Sequence, residues 1–493
     1  MSLIQVADLS FSYDGSSDPV FQNVSFQIDT DWKLGFIGRN GRGKTTFLKL
    51  LMGGYEYSGK IHANIVFEYF PYPVENSQRD TIQILKEICP DKMDWEIIRE
   101  LSLLETEEAV LYRPFRTPSN GEQTKVLLAA LFLTTHSFLL IDEPTNHLDQ
   151  SARNAVKGYL KRKKGFILVS HDRLLLDECV DHILSINRKN IEIQKGNFSS
   201  WRENKQSRDA AELAQNERLK KDISRLSASA RQTASWSDSI EKSKFASGRK
   251  REKPADRGFV GHKAAKMMQR AKNIEARQQA AMQEKSGLLH NIDRSDPLSI
   301  APLSYHSPRL AELQQLSLFY GDNAVCRNLT FCIQQGDRIA LQGKNGCGKS
   351  TVLKCLCGEN ILYTGQLFIA SGLKISYVPQ DTSFLRGTLS EYAGEREISQ
   401  SLFMTLLRKL DFERSQLEKK MQELSEGQKK KVLLAASLCE SAHLYIWDEP
   451  LNFIDILSRI QIEELLLKYK PTLLFVEHDA AFVNKIATKT VCL

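Results

Sequence analysis

The sequence lacks the features of membrane-spanning, secreted and metal-cluster proteins. It has no run of about 18 apolar residues that could form a transmembrane helix, and its first 15 residues lack the basic and apolar segments of a signal peptide. The nine cysteines are scattered and form no CxxC pair, which argues against iron–sulfur and zinc modules and favours free thiols. We therefore expect a cytoplasmic protein without a membrane partner.

The composition is that of folded domains, but the charge is unevenly placed. Hydrophobic residues make up 42% and charged residues 26% of the 493 residues, which excludes general disorder, collagen and a small disulfide scaffold. The length predicts two to four domains. The net charge is +7, and residues 201–290 contain 21 Lys+Arg against 11 Asp+Glu. All the positive excess therefore lies in this segment.

Three motifs occur twice, with spacings of 305 to 307 residues. The pairs are GRNGRGKTT at 38–46 with GKNGCGKST at 343–351, FLLIDEPTNHLD at 138–149 with LYIWDEPLNFID at 444–455, and ILVSHD at 167–172 with LFVEHD at 474–479. The spacing predicts two tandem copies of one α/β domain, because the period is too long for a solenoid. We assign the first copy to residues 1–200, the second to 304–493 and a linker to 201–303, with a basic tip at about 237–262.

The linker is predicted to be helical. From Trp201 to Ser235 there is no Gly or Pro, and Ala, Glu, Lys, Arg, Gln and Leu are abundant, which favours one long helix. Glycines and a proline between 248 and 261 interrupt the pattern, and a second helical stretch follows over His262–Leu289. The simplest arrangement is a long antiparallel helical hairpin between two P-loop domains.

Both copies contain a glycine-rich loop suited to phosphate. The spacing Gly-x-x-x-x-Gly-Lys-Thr/Ser ends at Thr45 and at Ser350. Glycines let backbone N–H groups converge on phosphate oxygens at a helix N-terminus. Lys44 and Lys349 would reach the β- and γ-phosphates, and Thr45 and Ser350 would bind Mg²⁺.

Paired carboxylates and a histidine follow apolar strands in each copy. A carboxylate at a strand end beside a P-loop suits Mg²⁺, which predicts metal contacts for Asp142 and Asp448. The next residue in each copy would polarise the attacking water, and the later histidine would sense the γ-phosphate. Simple capping or packing roles are the alternatives. The predicted catalytic residues are Glu143, Glu449, His171 and His478.

Two further motifs complete a resemblance to the ATP-binding cassette (ABC) proteins. SNGEQ at 119–123 and SEGQ at 425–428 resemble their signature sequence, although each alone is typical of a helix N-cap. Tyr13 and Tyr320 precede the P-loop lysines and correspond to the tyrosine that stacks on adenine, although such a residue is often part of a core. The resemblance assigns Asp149 and Asp455 to the D-loop, and ATP contacts to Tyr13, Gly38, Asn40, Gly41, Gly43, Lys44, Thr45, Thr46, Ser119, Gly121, Glu122, Tyr320, Gly343, Asn345, Gly346, Gly348, Lys349, Ser350, Thr351, Ser425, Gly427 and Gln428.

Two such domains joined by a charged helical linker resemble the ABC-F ATPases, and within them the Lsa-like antibiotic-resistance subgroup. The resemblance implies that the copies stack head to tail with two ATP molecules between them. It also implies binding to the bacterial ribosome near the E site, with the linker tip directed toward 23S rRNA, the P-site tRNA and the peptidyl-transferase centre. Lincosamides, pleuromutilins and streptogramin A are the drugs such proteins displace. No obligate homo-oligomer is expected.

The two copies depart from the family pattern in different places. Gln380 matches the glutamine that helps hold Mg²⁺, but Tyr72 occupies that position in the first copy. Asn120 replaces a glycine in the first signature, and Leu451 and Phe453 replace the threonine and histidine of TNHLD. The sequence therefore predicts two unequal ATP sites.

Two segments found in some ABC-F proteins are not expected. The 75 residues from Lys44 to Ser119 leave no room for the helical arm of many housekeeping factors. The 15 residues after His478 leave none for a basic C-terminal extension of the Uup-like kind.

The linker tip combines basic and aromatic side chains. Residues 241–272 contain 11 Lys+Arg and three acidic residues. Basic side chains neutralise phosphates and aromatic rings stack on exposed bases, so we predict contact with RNA, and a solvated basic loop is the alternative. The predicted contact residues are Lys242, Lys244, Phe245, Arg249, Lys250, Arg251, Lys253, Arg257 and Phe259.

The sequence favours a ribosome-protection ATPase over three alternatives. One is a housekeeping ABC-F translation factor that relieves stalled ribosomes. Another is a non-catalytic module that uses ATP only as a conformational ligand. The third, a transporter ATPase, does not need a basic hairpin of this length.

Overall fold

The computed structural model describes residues 2–15, 19–134, 136–146, 148–187, 190–245, 298–321, 323–344 and 346–493. The chain forms two compact units. One consists of Met1–Trp201 with Ser295–Leu493, and the other of Arg202–Arg294. The first unit contains both copies of the repeated domain.

The first copy has a central sheet flanked by helices and a smaller antiparallel sheet. Its strands are β1 (Leu3–Phe11), β2 (Phe21–Asp29), β3 (Lys33–Ile37), β4 (Ser58–His62), β5 (Val66–Phe70), β6 (Ser137–Asp142), β7 (Phe166–Val169), β8 (His182–Asn187) and β9 (Asn190–Lys195). Its helices are α1 (Lys44–Leu51), α2 (Thr81–Ile88), α3 (Asp94–Leu103), α4 (Asn120–Leu131), α5 (Gln150–Arg162) and α6 (Arg173–Cys179), with a 3₁₀ turn at Glu108–Tyr112.

The second copy repeats this plan. Its strands are β10 (Arg309–Tyr320), β11 (Asn323–Gln334), β12 (Arg338–Gln342), β13 (Leu362–Ile369), β14 (Ile375–Val378), β15 (Leu444–Asp448), β16 (Leu473–Val476) and β17 (Lys489–Cys492). The linker contributes α7 (Phe198–Phe245), and the second copy contributes α8 (Lys349–Leu356), α9 (Leu389–Glu395), α10 (Gln400–Lys409), α11 (Arg414–Leu417), α12 (Glu426–Cys439), α13 (Ile456–Tyr469) and α14 (Ala480–Ile486), with a 3₁₀ turn at Met421–Glu423.

Strand order brings the repeated motifs to one edge of each central sheet. The order is β5-β6-β7-β3-β8-β9 in the first copy and β14-β15-β16-β12-β17 in the second. All neighbouring strands in these two sheets are parallel except β8 and β9. Ligands of open parallel sheets bind at the carboxyl ends of the strands. The P-loop, the acidic pair and the histidine follow three adjacent strands and therefore meet at that edge.

Apolar packing holds each copy together on both faces of its central sheet. In the first copy, strands β6 and β7 read FLLI and FILV, and these residues are buried. One apolar cluster fills the space between the central and antiparallel sheets, and another packs the helices against the opposite face. The second copy has the same two clusters. Burial on both faces explains why these strands are continuously apolar.

The linker begins with one long helix. Helix α7 has 48 residues and spans about 70 Å at about 1.5 Å per residue. It starts three residues before the predicted Trp201 and continues ten residues beyond Ser235, because Gly and Pro remain absent until Gly248. Phe198 and Trp201 are buried in the first copy. The predicted second helix lies outside the described residues.

Two predictions about composition can be compared with the structure. All nine cysteines are free, and burial raises the pKa of several of them, including Cys357 to about 12. Among the described helices, none combines the length and apolar character required to cross a bilayer.

Candidate active sites

The P-loops have a backbone that requires glycine. Gly43 and Gly348 have φ values of 94° and 96°, which other residues rarely adopt. A Cβ atom would lie 2.6 Å from Val20 Cγ1 in the first copy and 2.9 Å from Val325 Cγ1 in the second. Each glycine immediately precedes the P-loop helix, α1 or α8. The backbone can therefore turn sharply and direct its N–H groups to a common point.

The two P-loop lysines lie across their loops. Lys44 Nζ donates to Gly38 O at 2.7 Å, and Lys349 Nζ donates to Gly343 O at 2.9 Å. Both side chains are buried. Burial lowers the pKa of Lys44 despite the attraction of nearby carboxylates. An ammonium group held in this position can bind phosphate oxygens that enter the loop.

A glutamate and a histidine meet at the edge of each sheet, as the repeated motifs predicted. His171 Nε2 lies 3.2 Å from Glu143 Oε1, and His478 Nε2 lies 3.4 Å from Glu449 Oε1. Both glutamates have positive φ values, 50° and 47°. This conformation is costly for a residue with a side chain and is often found at functional sites. The same strained geometry therefore occurs in both copies.

The electrostatic environments of the two glutamates differ. Burial, reinforced by the neighbouring Asp142, raises the pKa of Glu143 to about 8. Burial also raises the pKa of Glu449, but the His478 hydrogen bond and charge and the Lys430 ammonium outweigh it, so the pKa lies below its usual value. Glu449 therefore favours the carboxylate form, which can accept a proton from water, whereas the environment of Glu143 favours the protonated form more than that of Glu449 does.

The residues predicted to bind metal also differ between copies. In the first, Thr45 Oγ1 and the Tyr69 hydroxyl donate to Asp142 Oδ2 at 2.9 and 3.0 Å. In the second, both Asp448 oxygens are buried without a hydrogen bond of normal geometry. Burial raises the pKa of Asp448 to about 6, although the nearby Ser350 hydroxyl opposes this. Asp448 therefore has two oxygens available for a cation.

Gln380 and Tyr72 occupy different environments. Gln380 Nε2 donates to Glu449 Oε2 at 2.9 Å, so the glutamine contacts the predicted catalytic residue. Tyr72 packs against the helical apolar cluster of the first copy. The sequence difference at this position is therefore also a difference in the contacts at the two sites.

The first site, which we call site 1, combines the first P-loop with the second signature. Asn40 Nδ2 donates to Phe453 O at 2.6 Å. A Cβ atom on Gly427 would lie 2.4 Å from the same oxygen and 3.3 Å from Asn40 Nδ2. Asp455 lies near Lys44 and accepts from Lys431 Nζ at 2.8 Å. The signature glycine and D-loop of the second copy therefore close on the first P-loop.

The second site, site 2, has the reverse arrangement. A cavity of about 350 Å³ is lined by the second P-loop, Gln380, Glu449 and His478, together with Asn120 and Arg153 of the first copy. Asp149 lines an adjoining cavity of about 320 Å³ that also contacts Lys349 and His478. The two copies are thus arranged head to tail.

The signature serines cap helices. The Ser119 hydroxyl accepts from the Glu122 N–H at 3.3 Å, and the Glu122 carboxylate accepts from the Ser119 N–H at 2.8 Å. Ser425 and Gln428 form the same capping box. The N-cap interpretation is therefore correct, and it is compatible with an ATP contact, since Asn120 and Gly427 at these helix starts face the opposite P-loop.

The two tyrosines are surface residues rather than core residues, and Tyr13 lies beside the first P-loop. The side chains of Tyr13 and Tyr320 are 45% and 54% exposed. The Tyr13 hydroxyl lies 2.6 Å from Thr46 Oγ1, and its ring packs edge-on against Phe11 and Tyr55. An exposed ring fixed in this way can stack on a planar base.

Some predicted site residues cannot be placed. Asn345 and the tip residues Arg249, Lys250, Arg251, Lys253, Arg257 and Phe259 lie outside the described residues. Lys242, Lys244 and Phe245 belong to the last turns of α7, but their side chains are not described.

The motif analysis missed the ion pairs that join the copies. Asp411 Oδ1 lies 3.0 Å from Arg39 Nη1 and 3.5 Å from Arg42 Nη2 of the first P-loop. Arg173 pairs with the buried Glu463 across the interface. A comparison of the two repeats could have drawn attention to these residues. Arg42 and Arg173 align with the uncharged Cys347 and Ala480, whereas Arg39 aligns with Lys344.

A family model described as ABC transporter matches residues 21–146 and 326–452, slightly more than half of the chain. Ribosome protection protein VmlR of Bacillus subtilis is 28% identical over 480 residues, covering 96% of this chain and 84% of that protein. ATP-binding protein Uup of Buchnera aphidicola is 27% identical over 509 residues, covering 99% and 80%.

A solved structure of an archaeal ribosome recycling factor, aABCE1, in complex with the stalk protein aP1 is similar with a TM-score of 0.61. The identity is 19%, and the match covers 98% of this chain and 87% of that chain. At this identity the likeness supports the tandem fold alone. The matched family model shows that the chain belongs to the ABC family, as a tandem, ATP-binding ATP hydrolase.

Proposed function

We propose that this ATPase protects the bacterial ribosome from antibiotics that act at the peptidyl-transferase centre. The observation that carries the proposal is the match to a ribosome protection protein over 96% of the chain, which spans both copies and the segment between them. The 48-residue helix α7 leads into the basic tip. The proposed drug classes are lincosamides, pleuromutilins and streptogramin A, as in the Lsa-like subgroup.

The proposed partners are 23S rRNA and the P-site tRNA, reached from the E site. The segment 241–272 contains 11 basic residues and three acidic ones. Neutralising RNA phosphates releases counterions and gives an affinity that falls with salt. Lys242, Lys244, Arg249, Lys250, Arg251, Lys253 and Arg257 would supply this charge, and Phe245 and Phe259 would stack on unpaired bases.

ATP would occupy both interfaces between the copies. At each site the P-loop N–H groups and lysine bind the phosphates, the tyrosine stacks on adenine, and the signature of the other copy contacts the γ-phosphate. Glu143 and Glu449 orient the attacking water, with His171 and His478 beside them at 3.2 and 3.4 Å. Two nucleotides therefore join the copies, and their loss lets the copies separate.

The residues present fit Mg²⁺. Hydroxyl and carboxylate oxygens are its preferred ligands, and both buried Asp448 oxygens lack a hydrogen bond of normal geometry. Thr45 and Asp142 would hold the ion at site 1, and Ser350, Asp448 and Gln380 at site 2. An Mg²⁺ ion held by these residues would neutralise phosphate charge during ATP hydrolysis. The described residues contain no cluster of three His, Cys, Asp or Glu that could hold a metal by itself.

Drug susceptibility tests the proposal. Expression in a sensitive bacterium should raise the inhibitory concentrations of lincosamides and pleuromutilins, and the Glu143→Gln/Glu449→Gln variant should not. The purified double variant should sediment with ribosomes in saturating Mg·ATP, because it cannot reopen. Unchanged inhibitory concentrations for the wild type would refute drug protection. Failure of the double variant to sediment with ribosomes would refute the ribosomal partner.

A housekeeping translation factor is the second candidate. The match to Uup, over 99% of this chain at 27% identity, favours it. This function predicts ATP-dependent ribosome binding and relief of stalled translation without any change in drug susceptibility. The same expression experiment therefore separates the two functions.

A further inference from the structure

A buried ionic bridge joins the two copies. Arg173 Nη1 donates to Glu463 Oε2 at 3.1 Å, and Nη2 donates to the other carboxylate oxygen. The two side chains are 8% and 0% exposed. Bidentate charge-assisted pairs of this kind are among the stronger hydrogen-bonded contacts. Glu463 also accepts from Lys485 Nζ at 3.0 Å, and Arg173 Nη2 lies 3.7 Å from Asp479 Oδ2. Removal of Arg173 therefore leaves the buried Glu463 carboxylate with one cationic partner instead of two, which is unfavourable.

The bridge belongs to site 1. Arg173 follows His171 by two residues and begins α6. Glu463 lies on α13, the helix that Asp455 caps. Because His171 and Asp455 both lie near the first P-loop, the bridge joins the two elements that carry these site 1 residues. Arg173 Nη2 also lies 3.7 Å from Asp479, the residue after His478.

The corresponding position at site 2 has no bridge. The repeat spacing places Ala480 at the position of Arg173, and Lys157 at the position of Glu463. Ala480 has no charge, and Lys157 Nζ donates to Glu178 of its own copy at 3.0 Å. In a pseudo-twofold interface each contact is expected twice, so this contact distinguishes the two sites.

Site 1 has a second set of ion pairs between the two copies. Asp411 pairs with Arg39 and Arg42 of the first P-loop at 3.0 and 3.5 Å. The corresponding residues at site 2 are Glu105, Lys344 and Cys347. Glu105 and Asp411 share a positive φ, 53° and 68°, yet no ion pair links Lys344 to Glu105 in the described parts of the chain.

We propose that the copies separate about a hinge at site 1, held by the Arg173–Glu463 bridge, so that site 1 retains its nucleotide while site 2 opens and exchanges. Site 2 also contains Gln380, where site 1 has Tyr72. The inference rests on the proposed binding of ATP at both sites, and not on the proposed ribosomal partner. It can therefore be tested on the purified chain without ribosomes.

Nucleotide release is the direct measurement. The full chain is loaded with Mg²⁺ and a radiolabelled ATP analogue that is not hydrolysed, and excess unlabelled analogue is then added. Two nucleotides per chain should leave in two phases of equal amplitude, differing at least tenfold in rate. Lys44→Ala should remove the slow phase, and Lys349→Ala the fast one. Arg173→Ala should accelerate the slow phase at least tenfold.

Matched variants distinguish an effect on the hinge from a general loss of folding. Arg173→Lys, which keeps the positive charge, should accelerate the slow phase less than Arg173→Ala does, and Lys157→Ala should change neither phase. Ala480→Arg with Lys157→Glu places a bridge beside site 2 and should slow the fast phase. Two nucleotides leaving at one rate in the wild type would refute the hinge, as would an unchanged slow phase in Arg173→Ala. Failure to retain any nucleotide would refute the site assignment itself.

Discussion

The two copies agree in the backbone of their catalytic motifs and differ in the side chains that close one copy on the other. Glu143 and Glu449 share a strained φ near 50°. The difference lies at the interface, where Arg39, Arg42 and Arg173 of the first copy form ion pairs with the second. The corresponding residues of the second copy are Lys344, Cys347 and Ala480. Phosphate chemistry fixes the first set of features, whereas the interface is free to diverge. Duplicated catalytic parts therefore need not produce two equivalent sites.

The largest expected effect tests whether site 2 performs the turnover. Glu449→Gln should lower steady-state ATP hydrolysis about 100-fold or more, the usual range for removal of a general base. Glu143→Gln should lower it less than about tenfold, because site 1 stays closed in most cycles. Phosphate release from each purified variant measures the difference. Equal losses of ATP hydrolysis in the two variants would show that the two sites are catalytically equivalent, and would refute turnover at site 2 alone.

The next effect concerns the segment that belongs to neither copy. Changing Lys250, Arg251 and Lys253 to Gln should weaken ribosome binding, and should reduce the slope of log K against log salt by about 2 to 3, because each phosphate contact contributes about 0.7–0.9. Sedimentation with ribosomes at several salt concentrations measures this slope.

Nucleotide release from both sites should remain unchanged in that linker variant. The matched control replaces three exposed basic residues of the second copy, Arg414, Lys419 and Lys420, by Gln. A similar loss of slope in the control would indicate a general charge effect and would argue against RNA contact by the tip.

A third effect tests the position that differs most visibly in sequence. Gln380→Ala should lower kcat about tenfold and raise the Mg²⁺ concentration for half-maximal activity, because it removes a contact to Glu449 made at 2.9 Å and a proposed metal ligand. Tyr72→Phe, which keeps the packed ring, should change both values less than twofold. A Mg²⁺ titration of ATP hydrolysis gives both values. Equal effects would remove Gln380 as a source of the asymmetry.

The fold and the motif geometry could be predicted because both depend on short stretches of sequence. An apolar strand followed by Asp142 and Glu143 specifies a buried parallel strand with acidic residues at its end. The same reasoning located Lys44, His171 and their counterparts. The strand order was not predicted; in the structure it brings these residues together at one edge.

The contacts between the copies could not be predicted in this way. Arg173 and Glu463 are separated by 290 residues in sequence, and neither stands in a recognised motif. Their pairing depends on how two complete domains pack, which no local pattern encodes. The electrostatics of Glu143 also depend on this packing, since Arg459 of the second copy opposes the burial that raises the pKa of Glu143.

The smallest expected effect distinguishes the two ion-paired contacts at site 1, the Arg173–Glu463 bridge and the Asp411 pairs. Asp411→Ala removes the pairs to Arg39 and Arg42, which are partly exposed, with an Asp411 exposure of 18%. Such pairs contribute about 0–1 kcal/mol, so the slow phase of nucleotide release should accelerate no more than about fivefold. Glu105→Ala, at the corresponding position of site 2, should leave both phases unchanged. If Asp411→Ala accelerated the slow phase as much as Arg173→Ala, the hinge would lie at the Asp411 ion pairs and not at the buried bridge. Only a contact that holds site 1 closed can produce so large an acceleration.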